Sequence, residues 1–420
     1  MKIPIERSTL DNGAVLLVSQ RKESPCVIVT GSIPAGSFLE NDEHAGLADF
    51  VARLLMRGTG ERTHQQIAEE LENVGASIGF GASAETISFG GKALPQHLDL
   101  LLRNMADCLR NAAFPADEVE KVRGMMVTGL KQRLDDTRSR AADLLRELAY
   151  PVGHPYRRDG VATLESVQMI GREDIAGFRQ RNFSPRGMII AVCGNVEPAA
   201  ARGSVEAAFC GWEARDHGSA QIDGGPSLAE AVRRVVPMPH KSQADIAVGF
   251  PGARRSDPGF YALAQANLIM GRLGLMGRLG EHVRDEMGLA YYCQSMLEDR
   301  RGEGLWLLRA GVNPMNVERA IEAMQREVAR MAAEKVGEDE IADAQGMLVG
   351  SMALQLDQTG GVVYTVHYIE YHGLGLDHLE RYPGIVRSVT REQILEGAAR
   401  HLDRQRCATV IAGPVKDWRG

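Results

Sequence analysis

Asp117-Glu118-Val119, Gly124-Met125, Val127, Leu134-Asp135 and Thr137 form a spaced pattern, and Asp339-Glu340-Ile341, Gly346-Met347, Val349, Leu356-Asp357 and Thr359 repeat it 222 positions later. A second set returns at an offset of 219: Val167, Ile170, Arg172-Glu173, Ile175, Gly194 and Val196 reappear as Val386, Val389, Arg391-Glu392, Ile394, Gly413 and Val415. Self-similarity of so long a period means that one fold of about 200 residues occurs twice. A chain of 420 residues that is 44% apolar can give each copy its own core. The Gly- and Ser-rich stretch from His217-Gly218-Ser219 to Gly224-Gly225-Pro226-Ser227 falls between the copies, where a linker belongs. The expected division is 1–212, a linker at 213–232, and 233–420.

Outward from that pattern, the first copy reads as strands mixed with helices. Val27 to Ile33 is strand-like, and Leu47, Phe50, Val51, Leu54 and Leu55 recur at helical spacing between Gly46 and Met56. Ser77 to Gly91 holds the alternating Thr86-Ile87-Ser88-Phe89. Helical periodicity returns over Pro95 to Asn111 and Ala116 to Asp135, and Ile189 to Val192 closes the copy as a buried strand. Without strict βαβ alternation this predicts an α+β fold: two homologous halves, each a mostly antiparallel sheet with helices on one face.

The net charge is −7, and the basic pairs Arg254-Arg255 and Arg300-Arg301 have acidic neighbours, which argues against a nucleic-acid surface. Cys26, Cys108, Cys193, Cys210, Cys293 and Cys407 are scattered without a Cys-x-x-Cys, so buried free thiols are expected. The apolar run Ala14 to Val18 is too short for a signal-peptide core and reads as a first strand behind the Asn12-Gly13 turn. No window reaches membrane-spanning length. A cytoplasmic location is the expectation, or a periplasmic one if an export signal has been removed.

Gly46-Leu47-Ala48-Asp49-Phe50-Val51-Ala52-Arg53-Leu54-Leu55-Met56-Arg57-Gly58-Thr59 resembles the metal-binding helix of insulinase (pitrilysin) peptidases, Gly-Leu-Ala-His-Phe-Leu-Glu-His-Met-Leu-Phe-Lys-Gly-Thr. There, the two His of His-x-x-Glu-His bind zinc one turn apart and the Glu activates water. In this chain Asp49 and Arg53 stand at the His positions and Ala52 at the Glu. The third ligand of the family, a Glu about 76 residues downstream, falls at Gly129. A guanidinium has no lone pair to give, Ala52 moves no proton, and Gly129 has no side chain. Only Asp49 offers a ligand atom, so no metal is expected in this chain. An i,i+4 ion pair between Asp49 and Arg53, on the face away from Leu47, Phe50 and Leu54, is the structural expectation. His44 and Glu43 lie upstream as stray ligand candidates. His367 and His372, five apart, would project about 140° from one another on a helix with aromatic and polar faces.

The second copy keeps what the first has lost. Arg278-Leu279-Gly280-Glu281-His282-Val283-Arg284-Asp285-Glu286-Met287-Gly288-Leu289-Ala290-Tyr291 resembles the family's segment Arg-Leu-Phe-x-x-Leu-Arg-Glu-x-x-Gly-Leu-Ala-Tyr, whose second Arg and Tyr hold the substrate. The corresponding pair is Arg284 and Tyr291. Leu279, Val283 and Met287 predict a helix, Gly288 its C′ residue, and Leu289 to Cys293 a strand. A guanidinium and a phenol can donate hydrogen bonds to a substrate carbonyl and to the oxyanion formed on attack. The bland alternative pairs Arg284 with Glu281 or Asp285 and buries Tyr291. The glycine-rich Gly271 to Gly277 lacks the strand and the Gly-Lys-Ser/Thr of a nucleotide loop, and in the family such a loop belongs to substrate access.

In Ile78-Gly79-Phe80-Gly81-Ala82-Ser83-Ala84-Glu85, small residues admit another backbone, and relatives add an extended substrate to this edge. Gly79, Phe80, Gly81 and Ala82 are the candidate substrate-binding residues; an ordinary glycine-weakened hairpin is the equal alternative. The resemblance spans both halves and implies a division of labour known in bacteria and mitochondria. A homologous partner carries an intact His-x-x-Glu-His and its zinc; this chain, inactive alone, encloses a chamber with it and supplies Arg284 and Tyr291. Two other readings stay open, a structural or peptide-binding subunit of a larger complex and a self-sufficient peptidase with a displaced metal.

Overall fold

The structure, a computed structural model, describes residues 2–215 and 222–415. The middle of the expected linker, with His217-Gly218-Ser219, lies outside the described residues. The chain gathers into two units, one of Met1–Leu130, Asp159–Ala220 and Met352–Glu380, the other of Lys131–Arg158, Gln221–Ser351 and Arg381–Gly420.

The first unit is built on six strands: β1 (Glu6–Thr9), β2 (Val15–Gln20), β3 (Val27–Ile33), β4 (Ser77–Ala82), β5 (Ile87–Ala93) and β6 (Ile189–Gly194). Their order is β1-β2-β6-β3-β5-β4, and every pairing is antiparallel except β2 with β6. The run Ala14 to Val18 thus enters the second strand, and the short β1 precedes it across the Asn12-Gly13 turn. Alternation sends Val27, Val29 and Ile33 to one face, where they join Phe50, Leu54, Leu101 and Leu102 in the main core. The strands at the sheet's centre are apolar on both faces, and the second face, with Leu17, Ala191 and Cys193, is covered by Val362, Val363 and Val366.

Those three valines belong to the helix Thr359–Tyr371, from the second sequence copy. Polar contacts hold it in place. Thr359 Oγ1 donates to Ser24 Oγ (2.9 Å), His367 Nε2 meets Ser32 Oγ (2.8 Å), and Tyr371 donates to the buried Glu85. Tyr364, Tyr368 and His372 form a row of neighbouring rings along it, with centroids 6.3 and 4.5 Å apart.

The second unit repeats the plan with β7 (Val232–Pro237), β8 (Ala244–Pro251), β9 (Ala290–Leu297), β10 (Leu305–Val312) and β11 (Ala408–Gly413), in the order β7-β11-β8-β10-β9. Only β7 and β11 run parallel. One face buries Ile246, Val248, Phe250, Trp306 and Leu308. On the other lies the helix Thr137–Ala149, from the first copy, with Leu145 over Gly249 and Thr137 Oγ1 donating to Asp245 Oδ2 at 2.5 Å. Thr137 and Thr359 are equivalent in the repeat, so the two copies exchange corresponding helices. The α+β class, the two halves and the mostly antiparallel sheets match the expectation. The exchange puts one helix on the second face of each sheet and makes the packing units discontinuous in sequence.

Truncating Leu145 to Ala is expected to cost about 2–5 kcal/mol in urea unfolding, the range for a buried leucine over an unyielding backbone. Burial lowers the pKa of His367 to about 4. Between that value and about 6.5, the unfolded chain's value, only the unfolded state takes up the proton, so stability is full above this window and falls as pH drops through it, by up to about 3 kcal/mol. His367→Gln should remove that part of the pH dependence.

Candidate functional site

Gly46 opens the helix Leu47–Leu54 in the left-handed region, φ +85°, with its Cα facing Ala162 so closely that a Cβ would come within 2.4 Å of it. The Glu40 carboxylate caps the free N–H groups, accepting from Gly46 at 2.8 Å and Ala48 at 2.6 Å. Leu47, Phe50, Val51 and Leu54 turn into the core, which leaves Asp49 and Arg53 outside. Arg53 Nε donates to Asp49 Oδ2 at 2.8 Å. Ala52 is buried between them and the core. Gly129 sits on the exposed side of the helix Ala116–Leu134, and a Cβ built on it meets nothing within 4 Å. His44 binds Asn41 Oδ1 through Nδ1 (2.9 Å) and lies 3.6 Å from Asp174. Among the described residues no group of three or more His, Cys, Asp and Glu side chains is arranged to hold a metal. A zinc ion of the kind the fold family implies finds one carboxyl here, already taken by a guanidinium, and no imidazole beside it.

Beyond the end of this helix is a recess of about 520 Å³, lined mainly by polar residues, that helical periodicity does not reveal. His64 Nδ1 donates to Met56 O (2.8 Å), and Arg57 Nη1 stands 3.3 Å from His64 Nε2 and 3.4 Å from Glu118 Oε2. The signal was present in Arg57, which occupies the last charged position of the quoted helix frame.

Among the described residues strand β4 pairs with β5 alone, at the edge of its sheet. The pleat divides the four candidate substrate residues. Phe80 and Ala82 pack against the core, whereas Gly79 and Gly81 face the opposite side. That side is a shallow groove of about 450 Å³ lined by Thr30, Gly79, Gly90, Gly91, Lys92 and Tyr364, and a Cβ at Gly79 would meet nothing.

In the second unit, Arg278 is buried and forks onto both oxygens of Glu340 at 2.6 Å. The helix it starts is not a regular α-helix. Gly277–Leu279 passes into the π-wound turn Gly280–Glu286, in which Met287 N–H reaches His282 O (3.2 Å). Gly288, at φ +62°, then releases the chain into β9. Arg284 lies on the wide turn. It grips the neighbouring Asp285 through Nε (2.8 Å) and Nη2 (3.2 Å) and touches Met276 Sδ at 3.8 Å. The hydrogen bond to Asp285 raises the guanidinium pKa further and lowers that of the carboxyl.

Tyr291 is 76% exposed. In the ladder with β10, Tyr292 pairs with Gly311 and Ala290 with Val312, so Tyr291 is the extra residue of a β-bulge. Among the described residues its hydroxyl has no hydrogen-bond partner. Arg284 and Tyr291 therefore share one helix-to-strand corner without bonding each other. One is held by an acidic neighbour and the other stands clear of the sheet, and neither is core.

Residues 15–154 match the family described as Insulinase (Peptidase family M16), and residues 170–348 match the Peptidase M16 inactive domain. An uncharacterized zinc protease of Mycobacterium leprae is 26% identical over 97% of this chain and 91% of its own length, and one of Bacillus subtilis is 23% identical over 84% and 85%. A peptidase M16 inactive domain from Pseudomonas fluorescens superposes with a TM-score of 0.92 at 21% identity, covering 99% of both chains. A Helicobacter pylori protease superposes at 0.91 and 17%, covering 98% of this chain and 100% of its own.

Since Gly129 has room for a side chain, the triple variant Asp49→His, Arg53→His, Gly129→Glu should bind about one zinc per chain, three protein ligands being enough for an open site. Titration calorimetry with zinc would read a site in the variant and none at these positions in the natural chain.

Proposed function

The chain belongs to the insulinase family, peptidase family M16, and from that membership we propose that it is the zinc-less, substrate-holding subunit of a two-subunit metallopeptidase. The observation that carries this reading is an asymmetry between the two family motifs. The zinc frame is closed by the Asp49–Arg53 ion pair, whereas Tyr291 is pushed out of its sheet by a bulge and, among the described residues, left without a hydrogen-bond partner. A scaffold has no use for an exposed phenol at that corner, since burying the ring would stabilise it more.

In the first unit, taken by itself, the edge of β4 offers free main-chain N–H and C=O groups that can extend the ladder and glycines that let another backbone approach, a seat for an extended polypeptide. The zinc that supplies the hydrolytic water is expected on a homologous partner with an intact His-x-x-Glu-His, the two subunits enclosing the chamber between them. This chain's part is donor chemistry. Tyr291 donates its O–H to a substrate carbonyl oxygen. Arg284 exchanges part of its bond to Asp285 for the same target and balances the negative charge that grows there on attack. Asp285 holds the guanidinium in place until then.

A second reading, a catalytically silent peptide-binding or structural subunit, is favoured by that same Arg284–Asp285 pair, which satisfies the guanidinium without any substrate.

Neither subunit alone should cleave an unstructured peptide, and the mixture should. Within the mixture, Arg284→Ala and Tyr291→Phe are each expected to lower kcat/KM by about 10²–10³, the loss seen when one oxyanion donor is removed. Unchanged cleavage in both variants would favour the silent-subunit reading.

A further inference from the structure

An exposed tyrosine on a bulge is useful only if the bulge cannot slip. Moving the register by one residue so that Tyr292 takes the place of Tyr291 would bring Cys293, which has no phenol to donate, over Gly311 and turn each side chain to the opposite face. The face of the second sheet that the helix Thr137–Ala149 covers shows what prevents this.

The ring of Tyr292 lies directly over Gly311 on β10, where any Cβ would come within 2.4 Å of its Cε1. Its hydroxyl donates to Asp245 Oδ1 at 2.5 Å. Asp245 is only 2% exposed and receives Thr137 Oγ1 (2.5 Å) and Gln243 Nε2 (3.2 Å) on its other oxygen. Arg138 completes the seat, its Nε donating to the Tyr292 hydroxyl (3.1 Å) and its Cζ lying 4.3 Å from the ring centroid. Burial and the bond to Asp245 push the Tyr292 pKa up, so the phenol stays a neutral donor. A buried carboxylate needs its donors, and the slipped register would take one away.

We propose that Tyr292, seated on Gly311 and tied to Asp245, is the positioning residue that holds Tyr291 out toward substrate. Thr137 and Arg138 belong to the exchanged helix Thr137–Ala149, so the first sequence copy helps to aim a group of the second. The inference rests on the reading of Tyr291 as a substrate-holding group, and two readouts separate them.

The full chain, with its nine tyrosines replaced by 3-fluorotyrosine, is examined by fluorine NMR, the Tyr291 signal being identified by its loss in Tyr291→Phe. Tyr292→Phe, Asp245→Asn and Gly311→Ala are each expected to shift or split that signal, whereas Arg138→Ala, which leaves the bond to Asp245, should move it less. With the zinc-bearing partner and an unstructured peptide, Tyr292→Phe should lower kcat/KM about tenfold, mainly through KM. A Tyr291 signal unmoved in all three variants, with their thermal unfolding still cooperative, overturns the positioning role. A signal that moves while Tyr291→Phe leaves cleavage intact upholds the positioning and overturns the catalytic reading instead. Gly311→Ala displaces the ring and crowds the Gln243 amide but deletes no hydrogen-bonding group, so its agreement with Tyr292→Phe ties the signal to the seat of the ring.

Discussion

A strand that is apolar on both faces must be covered on both faces, and this constraint governs the architecture. The adjoining residues Leu16 and Leu17, or Ile190 to Cys193, cannot all reach one core. Each sheet therefore needs a second layer, and each receives one helix encoded in the other copy of the repeat. The helix Thr359–Tyr371 brings valines to Leu17 and Ala191, while Thr137–Ala149 brings Leu145 to Gly249. Hydrophobic burial supplies the drive. Polar contacts supply the register: His367 with Ser32 in one unit, Thr137 with Asp245 in the other.

Much of this was legible in the residues. The offset of 222 announced two copies, and the periods of 3.6 and 2 located most helices and strands. The exchange was not legible, because periodicity tells which side of a helix is apolar and not which sheet that side will meet. The division of Gly79 and Gly81 from Phe80 and Ala82 follows from strand alternation alone, and only the edge position of β4 required the structure. Leu279, Val283 and Met287 promised an α-helix. The π-wound turn arises where Gly280 lets the backbone come close to Leu275, a contact between segments that spacing cannot express. The bulge was equally hidden. Ala290-Tyr291-Tyr292-Cys293 reads as ordinary strand, and its irregularity depends on Gly311, twenty residues away on the partner strand.

The two family motifs have met opposite fates for one physical reason. A helix needs little from Asp49 and Arg53 except that they not be buried, so ligands there could be replaced by a surface ion pair without disturbing the core beneath. The corner that carries Arg284 and Tyr291 is different. It is tied into its unit by Arg278 on Glu340 and by Tyr292 on Asp245, both involving a buried charge whose partner cannot be removed cheaply.

The repeat itself sharpens this contrast. Strands β4 and β9 hold the same place in their sheets, each an edge paired to one neighbour. In β4 the residues of the open face are small and leave a shallow groove beside Gly79. In β9 the chain inserts an extra residue and presents a phenol. A free edge invites unwanted pairing, and a bulge is a standard way to spoil it. One copy thus keeps a flat edge lined by glycine, and the other breaks its ladder and leaves a phenol exposed. The same strand position meets the exposed-edge problem in two ways, with small residues that leave the backbone open in one unit and an inserted residue that interrupts the ladder in the other.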